Sequence, residues 1–265
     1  MPDELVEQHW DEMRDRMERG GAHAVGAFID TFADPEERRT LWSFAQKAFM
    51  GRDWKGKSFD VLIDLVGAGM DESLVQYAET TDPAAQQKTK EHANVLAFNL
   101  SAELAECWPG DERPRERHHF ETGLALAEDC IRWRRQLGKP PERRALAYWA
   151  AGMHHLSLGN RREALGYFDI AAALAAEEVA GTEKAGIKPG GDSTAILYEG
   201  YAGLAAWAMG EPAGRDRYER AVQAFEGSVA QLEGEAKNDA QFGLDQLRVV
   251  ERKFTPAASA ASEHR

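Results

Sequence analysis

Cysteine is scarce in this chain, which has only Cys107 and Cys130 among its 265 residues. The two cysteines do not form the short spacing of a metal-binding pair, and two cysteines cannot build a disulfide framework. This usage fits a protein of a reducing compartment.

Long apolar runs are also missing. Nowhere do about 18 uncharged apolar residues follow one another, which is the length that a membrane-spanning helix needs. The N-terminal stretch MPDELVEQHW is acidic and lacks the apolar centre of a signal peptide. We therefore expect a cytoplasmic protein without a membrane partner.

Basic residues are outnumbered by acidic ones. The chain has 32 Lys and Arg residues against 45 Asp and Glu residues, a formal net charge of −13. Because this excess repels a phosphate backbone, we expect no nucleic-acid partner. The hydrophobic content of 43% is enough for a sizeable core in one large domain or two ordinary ones.

Strand signals are absent, and the apolar residues recur at helical spacing almost everywhere. Asp34-Pro35 and Asp82-Pro83 each place a capping carboxylate before a proline at the first helical position. The pattern predicts an all-α protein. The first two apolar stripes consist of Leu5, Val6, Trp10, Met13 and Met17, and of Val25, Phe28, Ile29 and Phe32.

The helix that begins after Asp34 is predicted to end at Gly51. Another begins near Phe59 and is predicted to end in the glycine-rich run 67–69, and a short helix follows from Asp71 to Glu79. Turn signals such as those at 109–110 and 139–141 then separate longer predicted helices. Their predicted spans are 84–107, 114–137, 142–158, 161–179, 193–209, 215–233 and 236–253.

The stretch GRDWKGKS, residues 51–58, matches the Walker A phosphate-binding pattern letter for letter. In that motif a strand precedes the glycine-rich loop and a helix follows it, whereas here a helix is predicted on both sides. We interpret the stretch as a turn between helices with Ser58 as the cap of the next one. A phosphate ligand would use Gly51, Gly56, Lys57 and Ser58.

One stretch, YWAAGMHHLSLGNRREALGYFDIAAA, has the spacing of a paired-helix repeat. Gly152 and Ala164 stand where two antiparallel helices touch, and Phe168 stands where it fills the space between pairs. With Tyr148 and His155 these residues make the stretch resemble a tetratricopeptide repeat. The resemblance implies a right-handed α-α superhelix of helical hairpins.

A second copy follows in the sequence. Its first helix and turn carry Glu199, Ala202, Gly203 and Gly210, and its second helix carries Ala221 and Phe225. The copies lie further apart than the usual 34 residues of the family, and Ala176 replaces its closing proline. An irregular helical bundle with Ala and Gly contacts between helices is the alternative.

These patterns predict three parts: an N-terminal helical segment, 1–80, packed on a repeat domain, 84–253, and a flexible tail, 254–265. The resemblance implies a non-catalytic interaction module that binds a peptide or partner protein in a concave groove, without a cofactor. The sequence leaves open whether the groove is exposed or covered as core, and whether the chain forms a homodimer. The predicted groove residues are Leu146, Trp149, Met153, Leu197, Tyr201, Leu204 and Trp207.

Histidine doublets supply the alternative function. His118-His119 begins one predicted helix and His154-His155 ends the next, while Cys107 ends the helix before. In an up-down stack these ends lie on one side, so that a Zn²⁺ or Cu site is geometrically allowed. Neighbouring arginines would repel the ion, and we expect no metal. The alternative is a helical protein that binds a small molecule, metal or phosphate at this cluster or at residues 51–58, and that could be an enzyme, although no nucleophile motif is present.

Overall fold

The computed structural model describes residues 2–255, with side chains from residue 7 onward. Over these residues the chain forms helices and no strand, which confirms the predicted all-α class. The helices are α1 (Pro2–Ile29), α2 (Pro35–Gly51), α3 (Phe59–Glu79), α4 (Pro83–Leu104), α5 (Arg117–Gln136), α6 (Pro141–Ser157), α7 (Arg161–Glu178), α8 (Ser193–Ala208), α9 (Pro212–Gln231) and α10 (Gly234–Phe254). The side chains of Leu5 and Val6, and residues 256–265 of the predicted tail, lie outside the described residues.

The chain divides into two compact units after Leu104. This boundary differs from the predicted division at 80–84, because α4 packs against α3 and α2 of the first unit. Its His92 bonds to side chains of both helices. The turn at 80–82 is therefore an interhelix connection within the first unit.

Within the first unit, α1 is broken at Gly21, whose φ of 65° is a backbone conformation that favours glycine. The two predicted apolar stripes lie on either side of this break. The prediction that a helix ends at 67–69 is wrong, because α3 runs through these residues without interruption. Gly69 serves close packing instead: a Cβ atom there would lie 3.0 Å from the Trp42 ring and 3.1 Å from Leu96.

Within the second unit, each helix from α5 to α10 packs against the next one in the chain. Gly152 lies at a close contact of α6 with α7, as the sequence predicts, and the residue that it meets is Phe168: a Cβ atom on Gly152 would lie 2.6 Å from the Phe168 ring. Gly203 brings α8 equally close to Tyr218 of α9. The final helix, α10, packs on both α8 and α9.

Candidate functional site

The predicted groove residues differ in their exposure. Trp149 is 4% exposed, and Met153, Tyr201 and Leu204 are at most 1% exposed. The remaining three residues, Leu146, Leu197 and Trp207, are half-buried. The sequence leaves open whether these groove residues, which form a stripe along the helices, are exposed or covered as core. The centre of this stripe is covered.

A short irregular segment of the chain itself covers part of this stripe. It comprises residues 105–108, which follow α4 and belong to the second unit, and we call it the covering segment. The indole of Trp108 lies edge-on to Trp149 of α6, with ring centroids 6.0 Å apart, and stacks on Phe242 of α10 at 6.2 Å. Trp108 thus joins two helices that are not consecutive in the chain.

The two residues before Trp108 contact the same helices. The Glu106 carboxylate accepts a hydrogen bond from Ser157 of α6 and pairs with the ammonium group of Lys253 of α10, both at 3.2 Å. The Cys107 thiol accepts a long contact from the Gln246 amide of α10, at 3.6 Å, and lies beside the Tyr201 hydroxyl of α8. The covering segment therefore bridges one surface formed by α6, α8 and α10, which we call the α6/α8/α10 surface.

Two buried donors below the covering segment lack an ordinary acceptor. Among the described residues, the Trp149 indole N–H lies beside the Tyr201 hydroxyl, but neither group has a hydrogen-bond partner of normal geometry. Burial raises the pKa of the Cys107 thiol to about 12, so that it remains protonated and offers only a weak sulfur acceptor. An unsatisfied buried donor costs about 1–3 kcal/mol.

Loop residues that follow the covering segment are held by an ion pair. The Arg115 side chain is 1% exposed and donates to the Asp111 carboxylate at 2.7 Å, and Arg113 donates to the same group at 2.8 Å. Burial alone would raise the pKa of Asp111, but these hydrogen bonds outweigh it and hold that pKa below its usual range. The loop between α4 and α5 is therefore tied by charge-assisted hydrogen bonds.

Trp207 has a different environment from Trp149. Its ring lies 5.8 Å from that of Tyr218 on α9, and the Arg215 guanidinium lies 5.5 Å over its face. Trp207 therefore packs within its own helical hairpin, and the predicted groove residues do not form one continuous aromatic surface.

The Walker-like stretch, residues 51–58, connects α2 to α3. The Lys57 ammonium donates to the carbonyl oxygens of Met50 and Arg52, at 2.6 and 3.1 Å, and the Trp54 indole donates to the Phe49 carbonyl at 2.9 Å. Ser58 caps α3 by accepting from the Val61 N–H, as predicted. Lys57 thus satisfies carbonyls at the C-terminal end of α2, where a positive charge is favourable.

The histidine doublets lie in separate surroundings. His119 accepts the Glu116 N–H at 2.9 Å in a capping box, whereas His154 is fully buried against Gly123 of α5. His155 stacks on Tyr167 with ring centroids 5.0 Å apart. Over the described residues, neither unit on its own brings three His, Cys, Asp or Glu ligand atoms together.

A hydrogen-bonded trio in the first unit was missed by sequence reasoning. Ser43 of α2 lies 2.9 Å from Nε2 of His92, and Ser73 of α3 lies 2.7 Å from its Nδ1. Because the Ser73 hydroxyl donates its hydrogen to the Gly69 carbonyl, it accepts a hydrogen bond from the Nδ1–H group of His92. The Ser43 hydroxyl then donates a hydrogen bond to Nε2. Ser43 and Ser73 lie 49 and 19 positions before His92 in the chain, so no local motif marks the three residues.

The trio is a polar link between three helices. Ser43, His92 and Ser73 have the order of a catalytic triad, which is a hydroxyl, a base and an orienting group. However, Ser43 lies inside α2, where the backbone N–H groups are hydrogen-bonded within the helix and cannot stabilise an oxyanion. Burial lowers the pKa of His92 to about 4; a hydrogen bond to the Arg39 backbone opposes this effect in part, and the charge of the Arg39 side chain adds to it. The imidazole is therefore neutral at physiological pH.

Among helices of the described residues, none is both long and apolar enough to cross a membrane. Comparisons of the chain with protein-family models, with curated proteins and with solved structures find no match.

Proposed function

We propose that this protein is a non-catalytic interaction module that binds a peptide segment of a partner protein on the α6/α8/α10 surface. The observation that carries the proposal is the covering segment, because a surface that holds residues 105–108 of its own chain has the chemistry to hold a polypeptide. Residues of this surface supply aromatic rings and a lysine to the covering segment, together with two buried donors.

The repeat-like pattern of the sequence supports the same reading. In tetratricopeptide-like arrays the first helices of successive hairpins line one face, and α6 and α8 are the first helices of the two copies that the sequence predicts. The right-handed superhelical stacking and the membership of this repeat class belong to the proposal. Cytoplasmic location is part of it as well.

Selection from a displayed peptide library tests the proposal. The full chain and its Trp108→Ala variant are immobilised separately, and enriched peptides are measured in solution against two matched variants. Phe242 on α10 and Ile170 on α7 are both large, apolar and exposed, at 48% and 44%. We expect Phe242→Ala to weaken binding at least tenfold and Ile170→Ala to leave it unchanged.

Two results would overturn the proposal. One is a selection in which neither form of the chain enriches any peptide above the empty support. The other is binding that survives Phe242→Ala and is lost in Ile170→Ala, since the contact would then lie on α7.

A further inference from the structure

We infer that residues 105–108 are an internal ligand of the α6/α8/α10 surface, and that a peptide of a partner protein replaces them. This peptide carries an acidic residue, then a residue with an oxygen acceptor, and then an aromatic residue, in the positions of Glu106, Cys107 and Trp108. This inference rests on the proposed function and specifies the partner of the same surface.

The acidic and aromatic positions follow from the contacts that hold the covering segment. Glu106 pairs with Lys253 and accepts from Ser157, so that this end of the surface selects a carboxylate. Trp108 lies between Trp149 and Phe242, so that the other end selects an aromatic ring. Both selections are made by α6 and α10 together.

The middle position follows from the donors that the covering segment leaves unsatisfied. Gln246 and Tyr201 offer an amide and a hydroxyl to the Cys107 sulfur. The Trp149 indole N–H lies beside the Tyr201 hydroxyl, and neither Trp149 nor Tyr201 has a hydrogen-bond partner of normal geometry. Both of these side chains are more than nine-tenths buried. A hydroxyl or carbonyl oxygen in place of the sulfur would accept from the Gln246 amide and the Tyr201 hydroxyl, because oxygen is the stronger acceptor.

The poor acceptor that Cys107 offers to these donors makes replacement of the covering segment by a partner peptide feasible. A covalently attached segment competes at a high effective concentration, on the order of millimolar for a short linker, so an external peptide binds weakly unless its own contacts are better. The apparent affinity of the surface is reduced by the fraction of chains in which the covering segment is displaced. Weakening this segment must therefore strengthen binding of a peptide added in trans.

The experiment uses the full chain and the blocked synthetic peptide LAECWPGD, which copies residues 104–111. Isothermal titration compares wild type with Trp108→Ala. Because the loss of a central aromatic anchor typically weakens a contact about thirtyfold, we expect the peptide to bind the variant at least tenfold more tightly than wild type. The peptide with alanine in place of tryptophan should not bind.

A second chain variant keeps the test decisive if Trp108→Ala does not fold. Glu106→Gln removes the charge that pairs with Lys253, whose side chain is 38% exposed, and leaves the aromatic contacts in place. We expect the peptide to bind this variant about two- to fivefold more tightly than wild type, as befits a solvent-accessible ion pair. Adding Phe242→Ala to either variant should reverse the gain.

The oxygen acceptor is tested with two altered peptides. LAESWPGD should bind Trp108→Ala more tightly than LAECWPGD, and LAEAWPGD should bind more weakly. Equal binding of the serine and alanine peptides would overturn the acceptor at the middle position.

Folded Trp108→Ala and Glu106→Gln chains that bind LAECWPGD no better than wild type would overturn the internal ligand. If library peptides of unrelated sequence still bind through Phe242, this failure leaves the proposed function standing. If no peptide of any sequence binds, the proposed function fails with it.

Discussion

The imidazole of His154 occupies the space that a side chain at Gly123 would need. A Cβ atom on Gly123 would lie 2.2 Å from Cε1 and 2.3 Å from Nε2 of the ring. His154 is fully buried, so the ring has little room to move aside. The contact fixes the distance between α5 and α6.

Gly123→Ala should therefore destabilise the protein by about 1–3 kcal/mol, the usual cost of overpacking a filled core. Urea unfolding followed by circular dichroism measures the change. Gly166→Ala is the matched control, because Gly166 is exposed in α7 and a Cβ atom there would meet nothing within 4 Å. The control should stabilise the helix by up to about 1 kcal/mol, and equal effects of the two substitutions would contradict the close contact.

Lys57 contributes to folding of the turn between α2 and α3. Lys57→Met keeps the apolar stem but removes the hydrogen bonds to the Met50 and Arg52 carbonyls, and it should lower the free energy of unfolding by about 1 kcal/mol. Lys55→Met, at the exposed position two residues earlier, should have a much smaller effect.

The same turn gives a test of nucleotide binding. We expect millimolar ATP-Mg²⁺ to leave the thermal midpoint of the wild type unchanged, because a ligand that binds only the folded state would raise it. A rise that disappears in Lys57→Met and persists in Lys55→Met would restore the phosphate-binding interpretation.

Local sequence patterns predicted the helices well and the contacts between distant segments poorly. The caps at Asp34 and Ser58 and the close approach of α6 and α7 at Gly152 all depend on residues close in the chain. The run Gly67-Ala68-Gly69 predicts a helix end, which is wrong, because the sequence does not show that Trp42 packs against Gly69.

The covering segment shows the same limit at the candidate site. Trp149 and Tyr201 stand out in the sequence at helical spacing, but Glu106 reaches Lys253 across 147 positions and Cys107 reaches Gln246 across 139. Such pairings depend on how the helices stack, which apolar periodicity does not specify. A single cysteine and tryptophan between two helices carry no motif of their own.

His92 makes the stability of the protein depend on pH. Burial holds its pKa near 4 in the folded state, below the ordinary value of 6.5, so the unfolded chain binds more protons between these values. Stability from this group is complete above pH 6.5 and is lost as the pH falls toward 4. The loss should be on the order of 2 kcal/mol, discounted for the partial exposure of the ring.

The comparison that isolates His92 is with His92→Gln, which cannot titrate. Denaturant unfolding at several pH values from 7 to 4.5 should show a flatter dependence for the variant than for the wild type. Asp111 does not interfere, because the pKa of that carboxyl is held low and its contribution is lost only below this window. Parallel curves for the two proteins would show that His92 is not held neutral by the fold.

Trp149 and Trp207, which the sequence places on the first helices of the two copies, should differ in what they contribute to stability. Trp149 is buried between Trp108 and Tyr198, with ring centroids at 6.0 and 6.5 Å, so that Trp149→Ala should cost about 3–5 kcal/mol. Trp207 is half-buried against Tyr218 and Arg215, and its truncation should cost about 1–2 kcal/mol. Urea unfolding of both variants, with the slopes compared to that of the wild type, measures the two costs. Equal costs would mean that the covering segment does not bury Trp149 in solution, and the α6/α8/α10 surface would then be open without any partner.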